Sequence, residues 1–183
     1  ATTGAVTITS GNKMAVEAAG SAGIEGTAAV YVTQVERFKS DTTTNVNIVK
    51  TTIMIDLTGL RSTAAGDIIG KDGDGVAYIG QVTTANQGTV FGVTMVCVET
   101  PAGGDPDINL HSATEGTGVE DTPISNLTET LIINSGDLAA GSLVAGGDIA
   151  ADQFLYLTAG ATTDATYTAG RLVITITGYD VAS

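Results

Sequence analysis

The sequence predicts an all-β, mostly β domain: an antiparallel sandwich or partly closed barrel with one short helix and a long acidic loop. Three observations predict it. Apolar residues recur at every second position in several runs, the period of a half-buried strand. Those runs are rich in Val, Ile and Thr, whose branched Cβ suits a pleated surface. Gly-Asp and Asp-Gly steps punctuate the chain where hairpins and turns need positive φ.

Taken in order, Val6 and Ile8 fall on the inner face of a short first strand. It lies in a flexible N-terminal arm, residues 1–22, loosened by Gly4, Gly11 and Gly20. A single β-rich domain, residues 23–183, follows. Ala29 to Phe38 reads as a strand whose alternation slips after Val32, which predicts a bulge or an edge position. From Ile48 to Leu57, Val49, Ile53, Ile55 and Leu57 share one face while Lys50, Thr52 and Asp56 share the other. The two Asp-Gly steps in Lys71–Gly75 predict a hairpin turn leading into a strand at Val76–Val82.

Val90 to Val98 is apolar on both faces, so it is expected to be covered on both sides, by its own fold or by a neighbouring subunit. Glu99, Thr100 and Pro101 stop it. From Pro101 to Pro123 the chain is polar and Gly-rich, which predicts a long surface loop. Thr122 followed by Pro123 is a helix start, with Ile124, Leu127 and Leu131 at helical spacing. Near the C-terminus Leu172, Ile174 and Ile176 alternate with Arg171, Thr175 and Thr177, and Gly178 is expected to end the run. Ala65-Gly66-Asp67-Ile68, Ser135-Gly136-Asp137-Leu138 and Gly146-Gly147-Asp148-Ile149 echo one another at unequal spacings, which is recurring turn chemistry and not a solenoid.

Composition bounds the function. The core is poor in aromatics, 4 % of the chain, and burial gains only about 25 cal/mol per Å², so association with further copies as a homo-oligomer is expected to supply more. The formal charge of −13, with a pI near 4.1, argues against a nucleic-acid partner, since phosphates are bound by clustered Lys and Arg. Among the seven basic residues only Arg37 and Lys39 sit together. No run approaches the roughly 20 apolar residues of a membrane helix, and the first residues lack the pattern of a signal peptide. Synthesis in a cytoplasm without membrane association is the expectation.

General acid–base and nucleophilic catalysis need His, paired carboxylates, Lys or an activated Cys, and here there is one His and one Cys. His111 stands in no nucleophile motif and is expected on a surface loop. Cys97 lies within an apolar run and is expected to be a small buried hydrophobe. Asp72 and Asp74 imitate the opening of a calcium loop, but Val76 occupies the third ligand position and the flanks are strand-like, so a plain turn is expected. Asp105, Asp107, Glu115, Glu120 and Asp121 read as a solvated acidic face. Asn126-Leu127-Thr128 is an isolated sequon match, and the glycines follow no phosphate-binding pattern. No catalytic, cofactor or metal-binding residue is therefore assigned, and no enzymatic activity is expected.

Two blocks, Ile55 to Gly70 and Leu155 to Arg171, resemble small structural proteins of marine tailed bacteriophages, including cyanophages. The acidic segment from Asp105 to Asp121 is similar to the same group. The resemblance implies a capsid decoration, or cement, protein: a β-rich oligomer, often a trimer, that clamps junctions of the major capsid protein on the outside of the virion. A tail or fibre component is the rival within the class, and an extracellular carbohydrate- or calcium-binding β module the rival outside it. The first candidate for contact with the shell is the N-terminal arm, where Val6, Ile8, Met14 and Val16 offer apolar side chains to bury on docking.

Overall fold

Two antiparallel sheets pack face to face. The computed structural model describes residues 14–18, 21–24, 29–38, 45–73 and 75–182. Its strands are β1 (Met14–Ala18), β2 (Ala29–Phe38), β3 (Asn45–Asp56), β4 (Arg61–Ser62), β5 (Gly80–Val82), β6 (Thr89–Ala102), β7 (Ile108–Ala113), β8 (Glu129–Ile133), β9 (Leu143–Gly146), β10 (Gln153–Ala159), β11 (Ala165–Thr166) and β12 (Ala169–Ala182). A six-stranded sheet runs in the order β1-β2-β3-β12-β6-β9, a four-stranded one in the order β5-β10-β7-β8, and β4 pairs with β11. The architecture is an open sandwich and not a closed barrel. Among the described residues, no helix is long and apolar enough to cross a membrane.

The alternation read from the sequence becomes the inner face of the large sheet. Val49, Ile53 and Ile55 of β3, Leu172, Ile174 and Ile176 of β12, and Val93, Met95 and Cys97 of β6 are all buried and join one core cluster with Leu110, Leu155 and Leu157 of the second sheet. β10 is buried on both faces from Leu155 to Ala159. On its outer side Tyr78 packs on Phe154 and Tyr156, with ring centroids 5.0 and 6.4 Å apart, and the Gly118 N–H donates to the Tyr156 hydroxyl at 3.2 Å. Loop segments thus form a third layer over the smaller sheet. Ser21 fastens to that layer, its N–H donating to the Tyr78 carbonyl at 3.0 Å.

Several expectations are corrected. The polar stretch from Pro101 to Pro123 is not one long loop, because β7 crosses it with Ile108 and Leu110 fully buried. Two large apolar residues suffice there because the strand is central in its sheet. The short helix, α1, stands at Thr84–Gln87: Thr83 Oγ1 accepts from Asn86 N at 3.2 Å and Gln87 Oε1 accepts from Thr83 N at 2.8 Å, a reciprocal cap. At Pro123 the chain makes only a 3-10 turn, Ile124–Asn126, and Leu131 belongs to β8.

β2 is neither bulged nor at an edge, since it pairs without a register shift with β1 on one side and β3 on the other. Gly73 and Gly75 take positive φ as the Asp-Gly steps predict, but the following strand is only Gly80–Val82 and pairs with β10, so no hairpin forms. Gly178 does not end its strand: β12 continues to Ala182 through a register shift against β6. Val6, Ile8 and Asp74 lie outside the described residues. Met14 and Val16 lie on β1, at the edge of the large sheet.

Candidate functional site

At one end of the sandwich the segments 55–70, 105–121 and 155–171 meet around Asp105, which is 1 % exposed. Its carboxylate accepts from Asp107 N at 3.1 Å and from Ala161 N at 2.6 Å. Its own N–H donates to Ser62 Oγ at 2.9 Å, and its carbonyl accepts from the Tyr167 hydroxyl at 2.7 Å. Ser62 in turn donates to the Thr163 carbonyl at 2.7 Å. At the rim Arg61 grips Asp164 through Nε at 3.0 Å and Nη2 at 2.6 Å, with Asp72 at 3.5 Å from Nη1. Main-chain bonds finish the clasp: Gly66 N to the Ala159 carbonyl, Ile69 N to the Leu157 carbonyl, and Tyr167 N to the Leu60 carbonyl.

The sequence makes this possible through side chains that bond to backbone. A short carboxylate flanked by Gly104 and Pro106 can reach two N–H groups of turns that have no strand partner, which removes the penalty for burying them. The expectation of a solvated acidic face therefore fails for Asp105. Asp107, its neighbour, is pushed up from the ordinary carboxylate range by burial first and then by Asp105 and Asp137, and its Oδ1 is buried without a partner. Glu115, by contrast, is drawn down by accepting from Thr128 Oγ1 and N, both at 2.8 Å. These bonds fix loop geometry. Among the described residues no three His, Cys, Asp or Glu side chains gather as a metal-binding group.

His111 is not on a surface loop. It stands on β7, 9 % exposed, with Nδ1 2.7 Å from Glu129 Oε2 on β8. Cys97 is buried as expected, and burial raises its thiol pKa. Asn126 sits in the 3-10 turn.

A second candidate site lies on the outer face of the large sheet. There Met54, Phe91, Val98, Leu143, Tyr179 and Val181 are between 39 and 65 % exposed. Among the described residues, the run from Val90 to Val98, apolar on both faces in sequence, is thus covered on one face only. Phe91 and Val98 coincide with the two register shifts between β6 and β12 that lie within this run, and Phe91 stacks tilted on Tyr179 with centroids 6.3 Å apart. Sequence reasoning found the strand but not the face, which is assembled by register from four strands. No known protein family, curated protein or solved structure matches the chain.

Proposed function

We propose that this chain is a non-enzymatic virion structural protein, a decoration or cement protein bound to the major capsid protein on the outside of a tailed-phage head and synthesised in the host cytoplasm. One observation carries the reading: the three separate blocks that resemble phage structural proteins fold into a single hydrogen-bonded clasp, so the resemblance follows a structural unit and not scattered composition. The −13 charge suits a surface turned to solvent and away from packaged DNA. On a chain this acidic, attachment rests on apolar contact and strand addition, and loosens little as salt rises.

The segment ahead of Met14, with Val6 and Ile8, leads into β1 at the edge of the large sheet and is the proposed contact. Because Met14–Ala18 pairs with β2, the informative deletion is of residues 1–13. Loss of decoration with an unchanged circular dichroism spectrum is expected; normal decoration by the truncated chain transfers the contact elsewhere. Cryo-electron microscopy of the particle tests the role itself. Density for the sandwich on the outer capsid lattice supports it, whereas density in the tail, or none on the particle, overturns it.

A further inference from the structure

The outer face of the six-stranded sheet is ordered in rows across the strands. Backbone register aligns Met54, Val173, Val96 and Leu143 in one apolar row over β3, β12, β6 and β9. The next row is Thr52, Thr175, Thr94 and Ala145. Two steps further along β12 comes Thr177 beside Lys50, and after that Tyr179 beside Ile48, with Phe91 against the Tyr179 ring. At the opposite rim Arg171 lies 3.4 Å from Asp56 and 3.5 Å from Glu99. Met54, Val98 and Val173 line a shallow groove of about 220 Å³ beside that ion pair.

From these rows we infer that the outer face of the large sheet is covered by a second copy of this chain, packed face to face about a two-fold axis. Charge argues for it. Over β3, β12 and β6 the charged residues that register places on the face are Lys50, Arg171, Asp56 and Glu99, two basic and two acidic, and on β2 Glu36 pairs with Ile48, so the face carries only −1 on a chain of −13. Two copies repel through their other surfaces and approach here at little of that cost.

Symmetry argues for it as well. A two-fold across the strands at the level of Ile176 lays the apolar row at Val173 over the aromatic row at Tyr179, and the threonine row at Thr175 over the row at Thr177. An isologous interface requires such self-complementarity. The ion pair at Arg171 then falls at the rim, where water is retained.

The area suffices. From Val173 to Val181 is eight steps of about 3.4 Å, and four to six strands at about 4.8 Å make a face of roughly 500–750 Å². Two such faces bury about 1,000–1,500 Å², which reaches the range of stable interfaces at about 1,200–2,000 Å². Aligned sheet-on-sheet packing is the geometry that such faces adopt. The expected oligomer is then a pair, in place of the trimer that the resemblance implies, and it does not depend on the virion role.

Light scattering and sedimentation of the purified full chain test it. A mass of twice 18.3 kDa at micromolar concentration, insensitive to salt, is expected; a monomer or a trimer overturns it. Leu143→Asp is tolerable for folding because Leu143 is 65 % exposed. It enters the interface twice and is expected to weaken the pair by about 100-fold or more. Leu143→Ser is the milder variant should the aspartate disturb β9, and Leu131→Asp, on the other sheet, is expected to leave the mass unchanged. A pair that survives both substitutions at Leu143, or is lost with Leu131→Asp alone, overturns the assignment. The pair is read in solution and the decoration role on the particle, so each fails separately.

Discussion

Tyr167, 1 % exposed, donates its phenolic hydrogen to the carbonyl oxygen of Asp105 across 62 positions of sequence, at 2.7 Å. The bond ties segment 155–171 to the acidic segment 105–121 inside the core, with Tyr167 and Asp105 both buried. Its ring also closes the clasp, since a Cβ at Gly104 would lie 2.6 Å from the Tyr167 ring.

Tyr167→Phe leaves that carbonyl without its partner and is expected to cost about 1–2 kcal/mol, a fall in Tm on the order of 2–8 °C. Burial holds the phenol well above its ordinary value of 10. The unfolded chain ionises at that ordinary value while the folded chain does not, so the stability is complete below it and is lost as pH rises beyond it. Thermal melts at pH 9 and pH 11 check this: the wild type loses more between the two than the phenylalanine variant.

Asp105→Ala removes the acceptor of the Asp107 and Ala161 N–H groups. A loss of about 2–4 kcal/mol is expected from two buried donors left unpaired, read as a shift in urea midpoint. Amide hydrogen exchange localises it, with protection lost first at Ala161.

Asp107→Asn has the opposite sign. Burial raises the folded-state pKa of Asp107, so its favourable contribution is present below the ordinary carboxylate value and is lost as pH rises through the folded one. The ionised group is therefore a burden at neutral pH. The amide variant is expected to melt higher than the wild type at pH 7, and the difference is expected to vanish at pH 3.

Gly178→Ala places a Cβ 2.1 Å from the Gln87 carbonyl oxygen and 3.0 Å from that of Thr89. Both are backbone atoms, at the last residue of α1 and the first of β6, so neither yields as a side chain tip does. A loss of about 2–4 kcal/mol is expected in chemical unfolding.

Calcium separates the decoration role from a calcium-binding β module. Asp72 faces Arg61 and is 73 % exposed. About 1 mM calcium is expected to move Tm by less than about 1 °C, and a rise of several degrees would show binding.

The inner face of the sandwich was legible because period two maps directly onto a pleated sheet: Val49, Ile53 and Ile55, and Leu172, Ile174 and Ile176, were each named from alternation and each is buried. β7 was not, because Asn109, His111 and Ser112 dilute its apolar signal, and the partners of Asn109 and His111, Ser135 N and the Glu129 carboxylate, lie 26 and 18 positions on. α1 is a single turn, too short for any helical period. The clasp was hidden for another reason: a carboxylate that bonds to main-chain N–H groups has no partner type to search for in sequence. The open face of the large sheet was half legible, as a strand with too much apolar surface for one core.

The placement of β12 has a consequence for synthesis. It lies in the middle of the six-stranded sheet, hydrogen-bonded to β3 on one side and to β6 on the other, although its residues are translated after both. Until Ala169 to Ala182 leave the ribosome, β3 and β6 are two unpaired edges, each ready to accept a foreign strand. Completion of the sheet therefore waits on β12, and pairing over such sequence distances is slow, as high contact order dictates. During that interval the open edges are the chain's main route to misassembly.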